Sequence, residues 1–129
     1  MKKHIEVVAA VILKDNKIFC AQRHAGGELA KKWEFPGGKV ENGETLQESL
    51  KRELLEELKI DVNVKEFITT VHHEYNTFNL TLHAFYCESL TDNFVLTEHL
   101  DSKWLNREEL DQLDWAAADI PVVNIVKES

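Results

Sequence analysis

The segment Gly38–Ile60, GKVENGETLQESLKRELLEELKI, decides how the rest of the chain is read. Gly37-Gly38-Lys39, followed by Asn42-Gly43, predicts a loop without regular structure that runs straight into a helix. Thr45 with Glu48 three residues later fits a capping box and marks the helix start. Leu46, Leu50, Leu54 and Leu58 recur at i, i+4 with Leu55 beside them, which predicts a buried face. Glu53, Glu56 and Glu57 stand at i, i+3 and i+4, so their carboxylates crowd one stripe next to that face. An anchored helix with aligned carboxylates, beside a loop whose backbone allows close approach, suits a hard divalent cation: Mg2+, with Mn2+ as a substitute. The same residues also read as a solvated acidic helix partnered by Lys51, Arg52 and Lys59.

The surroundings bound that reading. A chain of 129 residues is expected to form one domain over 1–129, and 43% hydrophobic residues are enough for a core. The net charge of −8 argues against polymeric nucleic acid, whose phosphates call for a basic face. A small phosphorylated ligand remains compatible, because a bound cation inverts the local electrostatics. No apolar run reaches bilayer length and the start MKKHIEVV lacks a secretory pattern, so the expectation is a cytoplasmic protein without a membrane partner, monomeric or homodimeric. Cys20 and Cys87 lie far apart in strand-like surroundings and read as reduced thiols.

Ile5–Leu13 is an almost wholly apolar, β-branched run that predicts a central strand buried on both faces. Lys14-Asp15-Asn16-Lys17 turns it into a second strand, Ile18–Arg23. Past the helix, Val62–Tyr75 predicts one or two strands, Asn76–Asn79 a turn, and Leu80–Cys87 alternates with period two. Lys103–Leu105 predicts a short strand, Asn106 with Glu109 opens a second helix to about Leu113, and Asp119 caps a last helix through Val126 with Pro121 in its first turn. The sum is an α/β sandwich with a mixed central sheet.

Gly38, Glu44, Arg52, Glu53, Leu54, Glu56, Glu57 and Ile60 follow the spacing G-x5-E-x7-R-E-U-x-E-E-x-G-U, with U a bulky aliphatic, and so resemble the signature of the Nudix hydrolases. Lys59 stands where the signature has glycine, which bears on the helix end. Trp33-Glu34-Phe35-Pro36-Gly37, the start EVVAAVILKDNKIFCAQR and the late WAAADIPVV are similar to the MutT-type branch. The resemblance implies the Nudix α-β-α sandwich and Mg2+-dependent hydrolysis of nucleoside triphosphates to monophosphate and pyrophosphate. It also implies a preference for oxidised or modified nucleotides, of the 8-oxo-dGTP or the cytidine and 5-substituted pyrimidine type.

By that resemblance Glu53, Glu56, Glu57 and the carbonyl of Gly37 bind metal, and Glu98 adds a metal or base carboxylate. Without it, Glu98 is an ordinary loop acid. The resemblance has Arg52 orient Glu53, a task that suits a planar guanidinium, although an ion pair with Glu48 at i, i+4 is also open. Glu44 completes hydrogen bonds to the metal ligands. Arg23 and Lys39 match phosphate-holding positions, while Phe35 and Phe78 offer stacking surface or core. Asp119 faces the base, caps the last helix, or does both. An ionised aspartate only accepts hydrogen bonds, where the guanine-sanitising relatives have asparagine, so Asp119 suits a donor edge such as cytosine N4 or the N1 and N2 hydrogens of guanine, and the departure brings the chain nearer the cytidine type. The histidines show no zinc-type pairing; His83 is the one pocket candidate, and Trp33, Trp104 and Trp115 read as core or rim. Two other functions fit the family: a pyrophosphatase for linked nucleoside diphosphates such as ADP-ribose, and a catalytically silent nucleotide-binding module. The short chain weighs against the first and the full set of glutamates against the second.

Overall fold

The apolar run at the start of the chain becomes the centre of a mixed sheet because its residues alternate between two cores. The computed structural model describes residues 2–129. In strand β1 (Lys3–Lys14), Ala9 and Val11 face one hydrophobic cluster, and Val8, Ala10 and Ile12 face the other. A strand buried on both faces needs no polar alternation. Strand β1 returns through Asp15 and Asn16, both at positive φ (52° and 64°), into β2 (Lys17–Gln22). Two successive left-handed residues make the hairpin turn whose twist matches the strands.

Two short strands follow, β3 (Trp33–Glu34) and β4 (Gly37–Lys39). The latter corrects the expectation of an irregular loop: Gly37 and Gly38 pair antiparallel with Ala9 and Val8 of β1. A Cβ on Gly37 would overlap the Val8 carbonyl, so only glycine lets β4 lie this close to the central strand. Strand β5 (Val62–Glu74) is one continuous strand with irregular register between Val64 and Thr69, and it pairs antiparallel with β6 (Phe78–Ser89). Strand β6 runs parallel to β1, and β7 (Asp101–Leu105) pairs with β2. The order β3-β2-β1-β6-β5, with β4 on β1 and β7 on β2, is the expected mixed sheet.

Helix α1 (Leu46–Leu58) covers one face through Leu50, Leu54 and Leu58, all fully buried. Each such leucine contributes on the order of 1.5–3 kcal/mol. Leu55 does not join them and is 57% exposed, because it stands about 100° around the helix from Leu54, past the edge of the buried face. The capping box is formed: Glu48 N donates to Thr45 Oγ1 (3.1 Å) and Thr45 N to Glu48 Oε1 (2.8 Å). Glu48 is therefore occupied at the cap and makes no pair with Arg52. Helix α2 (Ile120–Glu128) covers the other face through Val122, Val123 and Val126. The predicted second helix is a 3-10 segment, Arg107–Gln112, in which Asn106 N donates to Glu109 Oε1 (2.8 Å). Among the described residues no helix is long and apolar enough to cross a membrane.

Helix α1 ends on Lys59 at φ 58°, the left-handed conformation the signature assigns to glycine. A side chain there costs about 1–2 kcal/mol, partly offset by the lower entropy of a non-glycine chain. Lys59→Gly is therefore expected to raise stability by about 0.5–1 kcal/mol in urea unfolding, without altering the helix.

Candidate active site

Two features of α1 decide what it presents outward. Its leucine face is fixed on the sheet, and its last turn is tied to a loop from the far end of the chain. Thr97 donates to the Glu57 carbonyl from both its amide (3.3 Å) and its hydroxyl (2.7 Å), and Val95 N donates to the Leu58 carbonyl (2.9 Å). Carbonyls that a helix end leaves without partners are thus satisfied by the segment between β6 and β7. That segment brings Glu98 to the acidic stripe, and Glu53, Glu56, Glu57 and Glu98 line one cleft with Gly38 and Lys39.

The carboxylates are not equivalent. Burial, a hydrogen bond with Glu98, and the charges of Glu53, Glu98 and Glu34 push the Glu57 carboxyl up to about 9. Its buried Oε1 has no partner among the described residues. Burial also raises the Glu53 carboxyl, opposed by Arg52 and reinforced by the charges of Glu56 and Glu98. Glu56 is more exposed, with 56% of its side chain open to solvent.

Arg52 holds this group together. Its Nη1 donates to Glu53 Oε1 (3.2 Å) and Glu56 Oε1 (3.1 Å), and its Nη2 to the Lys39 carbonyl (3.0 Å). The guanidinium is held in turn by Glu44, which accepts from Nε (2.7 Å) and Nη2 (3.0 Å) as well as from Ser49 Oγ (2.7 Å). The bonds from Arg52 and Ser49 hold the Glu44 carboxyl down at about 2. A bidentate fork of this kind fixes direction as well as charge. Gly38 completes the crowding, since a Cβ there would overlap the Glu53 carboxylate.

Among the described residues no three His, Cys, Asp or Glu side chains form a ready-made metal cluster. Glu57 is turned to Glu98 and Glu53 to Arg52. The donor set nevertheless fits a hard divalent cation: oxygen donors only, one of them a buried oxygen without a partner among the described residues, and carboxyls raised by burial and by one another's charge, which a cation would offset.

A second cavity of about 240 Å3 opens from the same place, and Gly38, Lys39 and Glu57 belong to the walls of both. Its sides are Ile5, Val7, Leu29, Leu80 and Leu82, with Phe35, Phe78, Tyr75, Arg23, Glu34 and Asp119. Phe35 is both wall and core, 3% exposed and packed on Trp115 at 4.7 Å between ring centroids. Phe78 lies 4.9 Å from Tyr75, whose hydroxyl accepts from Ala118 N (2.8 Å). Arg23 Nη1 bonds Glu34 Oε1 (3.1 Å). Trp33 and Trp115 are core as expected, and Trp104 packs on Phe19.

Asp119 corrects two expectations. Its side chain makes no capping bond to α2; it is 3% exposed and takes the backbone N–H of Phe35. Burial and then the Glu34 charge raise its carboxyl well above the ordinary range, against the Phe35 bond and Arg23. Burial thus favours the protonated acid, which donates as well as accepts, so the acceptor-only argument does not hold. His83 is not in the cavity: it lies on the α1 face of the sheet, bonded to Glu6 Oε2 (2.8 Å) and Thr70 Oγ1 (2.8 Å). Tyr75, Leu29, Glu34, Thr97 and His99 are parts of the site that sequence reasoning missed. A glutamate inside the Trp33–Gly37 stretch and a histidine next to Glu98 were the available signals.

A mixed sheet between helices, with an acidic cleft opening on an apolar cavity, defines an α/β protein with a site suited to a small ligand that is apolar at one end and bridged to carboxylates by a cation at the other. The NUDIX domain model matches residues 7–124, and the chain belongs to the Nudix family of phosphoric anhydride hydrolases. It is 41% identical over 121 residues to the CTP pyrophosphohydrolase of Escherichia coli (strain K12), covering 94% of this chain and 90% of that protein. It is 42% identical over 85 residues to the 8-oxo-dGTP diphosphatase of Proteus vulgaris, covering 65% of this chain and 76% of that protein. The solution structure of the MutT Nudix hydrolase from methicillin-resistant Staphylococcus aureus 252 superposes with a TM-score of 0.80 at 48% identity, covering 100% of both chains. Nudix hydrolases as a family generally need divalent metals.

The raised Asp119 carboxyl carries a pH signature. An acid whose folded pKa lies above its unfolded value loses stability as pH rises above the unfolded value, because the unfolded chain releases its proton first. Asp119→Asn removes this effect and keeps an oxygen for Phe35 N–H. Urea unfolding is expected to show a stability difference in favour of the variant that widens as pH rises above about 4, the unfolded value, by at most about 1.4 kcal/mol per pH unit.

Proposed function

We propose that this chain, as one domain, hydrolyses nucleoside triphosphates to the monophosphate and pyrophosphate with Mg2+, or Mn2+ in its place. Oxidised or otherwise modified nucleotides and cytidine-type triphosphates are the substrate class. The observation that carries this reading is the shared wall: Gly38, Lys39 and Glu57 line both the apolar cavity and the acidic cleft. A base seated in the cavity sends its phosphate chain past these residues into the carboxylates. The names of the relatives support the same substrate range, CTP in one and 8-oxo-dGTP in the other.

The carbonyl of Gly37 and the carboxylates of Glu53, Glu56, Glu57 and Glu98 would hold the cation. When bound, it neutralises phosphate oxygens and lowers the pKa of a coordinated water. The residues of the chain do the rest. Arg52 keeps the Glu53 and Glu56 carboxylates aimed into the cleft, and Glu44 keeps Arg52 in place. Lys39 holds phosphate oxygens where cavity and cleft meet, and Arg23 does so from the cavity wall, where Glu34 orients it. Glu53 or Glu98 takes the proton from the attacking water, the role of a general base. In the cavity, Phe35, Phe78 and Tyr75 offer ring surface, and Asp119, donating and accepting, reads the polar edge of the base. Such a group suits both a cytosine and an oxidised guanine, in keeping with the two kinds of relative. Free thiols at Cys20 and Cys87, raised to about 12 by burial and inert, suit action in the reducing cytoplasm.

Glu53→Gln is expected to lower kcat for nucleoside triphosphate hydrolysis by about 100-fold to 10,000-fold, while unfolding by urea changes little. Full activity in that variant would remove Glu53 from the chemistry. A panel of canonical and modified nucleoside triphosphates compared by kcat/KM is expected to favour cytidine-type or 8-oxo-guanine substrates, and EDTA is expected to abolish pyrophosphate release. Faster cleavage of ADP-ribose than of any triphosphate would refute the reading.

A further inference from the structure

Glu98 is carried by a segment without regular structure, yet the site needs its carboxylate beside Glu57. Three tethers flank it. Thr97 is bonded through amide and hydroxyl to the Glu57 carbonyl, and Leu100 N donates to the Gln22 carbonyl (2.9 Å). Between them, the His99 side chain is only 4% exposed, and its Nε2–H donates to Glu34 Oε2 at 2.9 Å. The other oxygen of Glu34 accepts from Arg23, a wall of the cavity. One carboxylate on β3 thus joins the base cavity to the loop of the cleft.

Among the described residues the bond to Glu34 is the one polar anchor of the His99 side chain, since the buried Nδ1 has no partner there. The Nε2–H tautomer leaves a lone pair rather than an N–H at Nδ1, which is the less costly group to bury unpaired. An imidazole that served packing alone would gain nothing over an aliphatic side chain and would carry this polar burial as a cost. Its placement is explained by what it holds. Thr97 fixes the backbone on one side of Glu98 and Leu100 fixes it two residues beyond; His99 is the tether on the residue next to Glu98, and without it the Glu98 peptide is free to tilt between those two bonds.

We propose that His99 is the positioning residue for Glu98: its bond to Glu34 holds the loop carboxylate against Glu53 and Glu57, and so sets the affinity of the cleft for a divalent cation. This rests on the reading of Glu98 as part of a cation site. Glu34 acts as the joint, and the strand that shapes the base cavity also sets the cation site. His99 touches neither substrate nor reacting atoms.

The test compares His99→Gln with His99→Asn in the full chain. Both are polar; the Gln amide reaches to where Nε2 stood and the Asn amide falls short of Glu34. Binding of Mn2+ alone, followed by the loss of its free-ion EPR signal without nucleotide, is expected to weaken about tenfold in His99→Asn and to stay near wild type in His99→Gln. Steady-state hydrolysis of a nucleoside triphosphate is expected to show the same order in kcat, with KM unchanged. Equal behaviour of the two variants, whether both intact or both impaired or unfolded, overturns the proposal, since reach to Glu34 is the only thing that separates them. A wild-type chain that binds Mn2+ but releases no pyrophosphate defeats the proposed function alone, and the binding comparison still decides the role of His99. A wild-type chain that binds no Mn2+ overturns the role of His99 with it.

Discussion

Carboxyl groups that would ionise apart are held together at the end of α1, and much of the structure exists to keep them there. Glu57 is the extreme case, pushed up to about 9 by burial and by Glu98 and Glu53. Such an arrangement opposes folding on its own, and two kinds of contact hold it. The leucine face of α1, fully buried on the sheet, keeps the helix from rotating its acids away from Glu98 and the glycine turn. The guanidinium of Arg52, forked on Glu44, places positive charge against Glu53 and Glu56. Apolar burial gives the position and a single cation the local compensation.

The sheet contributes through close approach. Strand β4 lies on β1 only because Gly37 has no side chain to meet the Val8 carbonyl, and Gly38 leaves room for the Glu53 carboxylate. The double glycine therefore does two jobs, seating a strand on the sheet and opening the cleft on one side and the cavity on the other. The alternation of β1 puts Ile5 and Val7 into the cavity wall while Val8 and Ala10 seat α1. Position along one strand thus couples the apolar cavity to the helix that bears the acids.

Burial also changes what individual groups are. Asp119, exposed, would be an acceptor; at 3% exposure with Glu34 nearby, its carboxyl is raised and able to donate. Lys59 keeps the left-handed helix end of the signature without its glycine, because the Lys59 N–H reaches the Leu55 carbonyl (3.1 Å) and Ile60 beside it is fully buried. Local preference yields there to tertiary packing.

By itself the sequence determined what depends on neighbours a few residues apart. Helix α1, its Thr45 cap, its acidic stripe, the β1–β2 turn and the two-faced burial of β1 all follow from spacing, and with them the family. Even within that reach it misjudged Leu55, since a spacing rule marks a stripe and only packing shows its edge. The tertiary structure decided the rest: that Glu98 meets Glu57, that Glu34 joins Arg23 to His99, that Tyr75 walls the cavity and that His83 lies on the other face. Those facts depend on strand pairing between distant segments and on how water is excluded around a given carboxyl, and neither has a local period to be read.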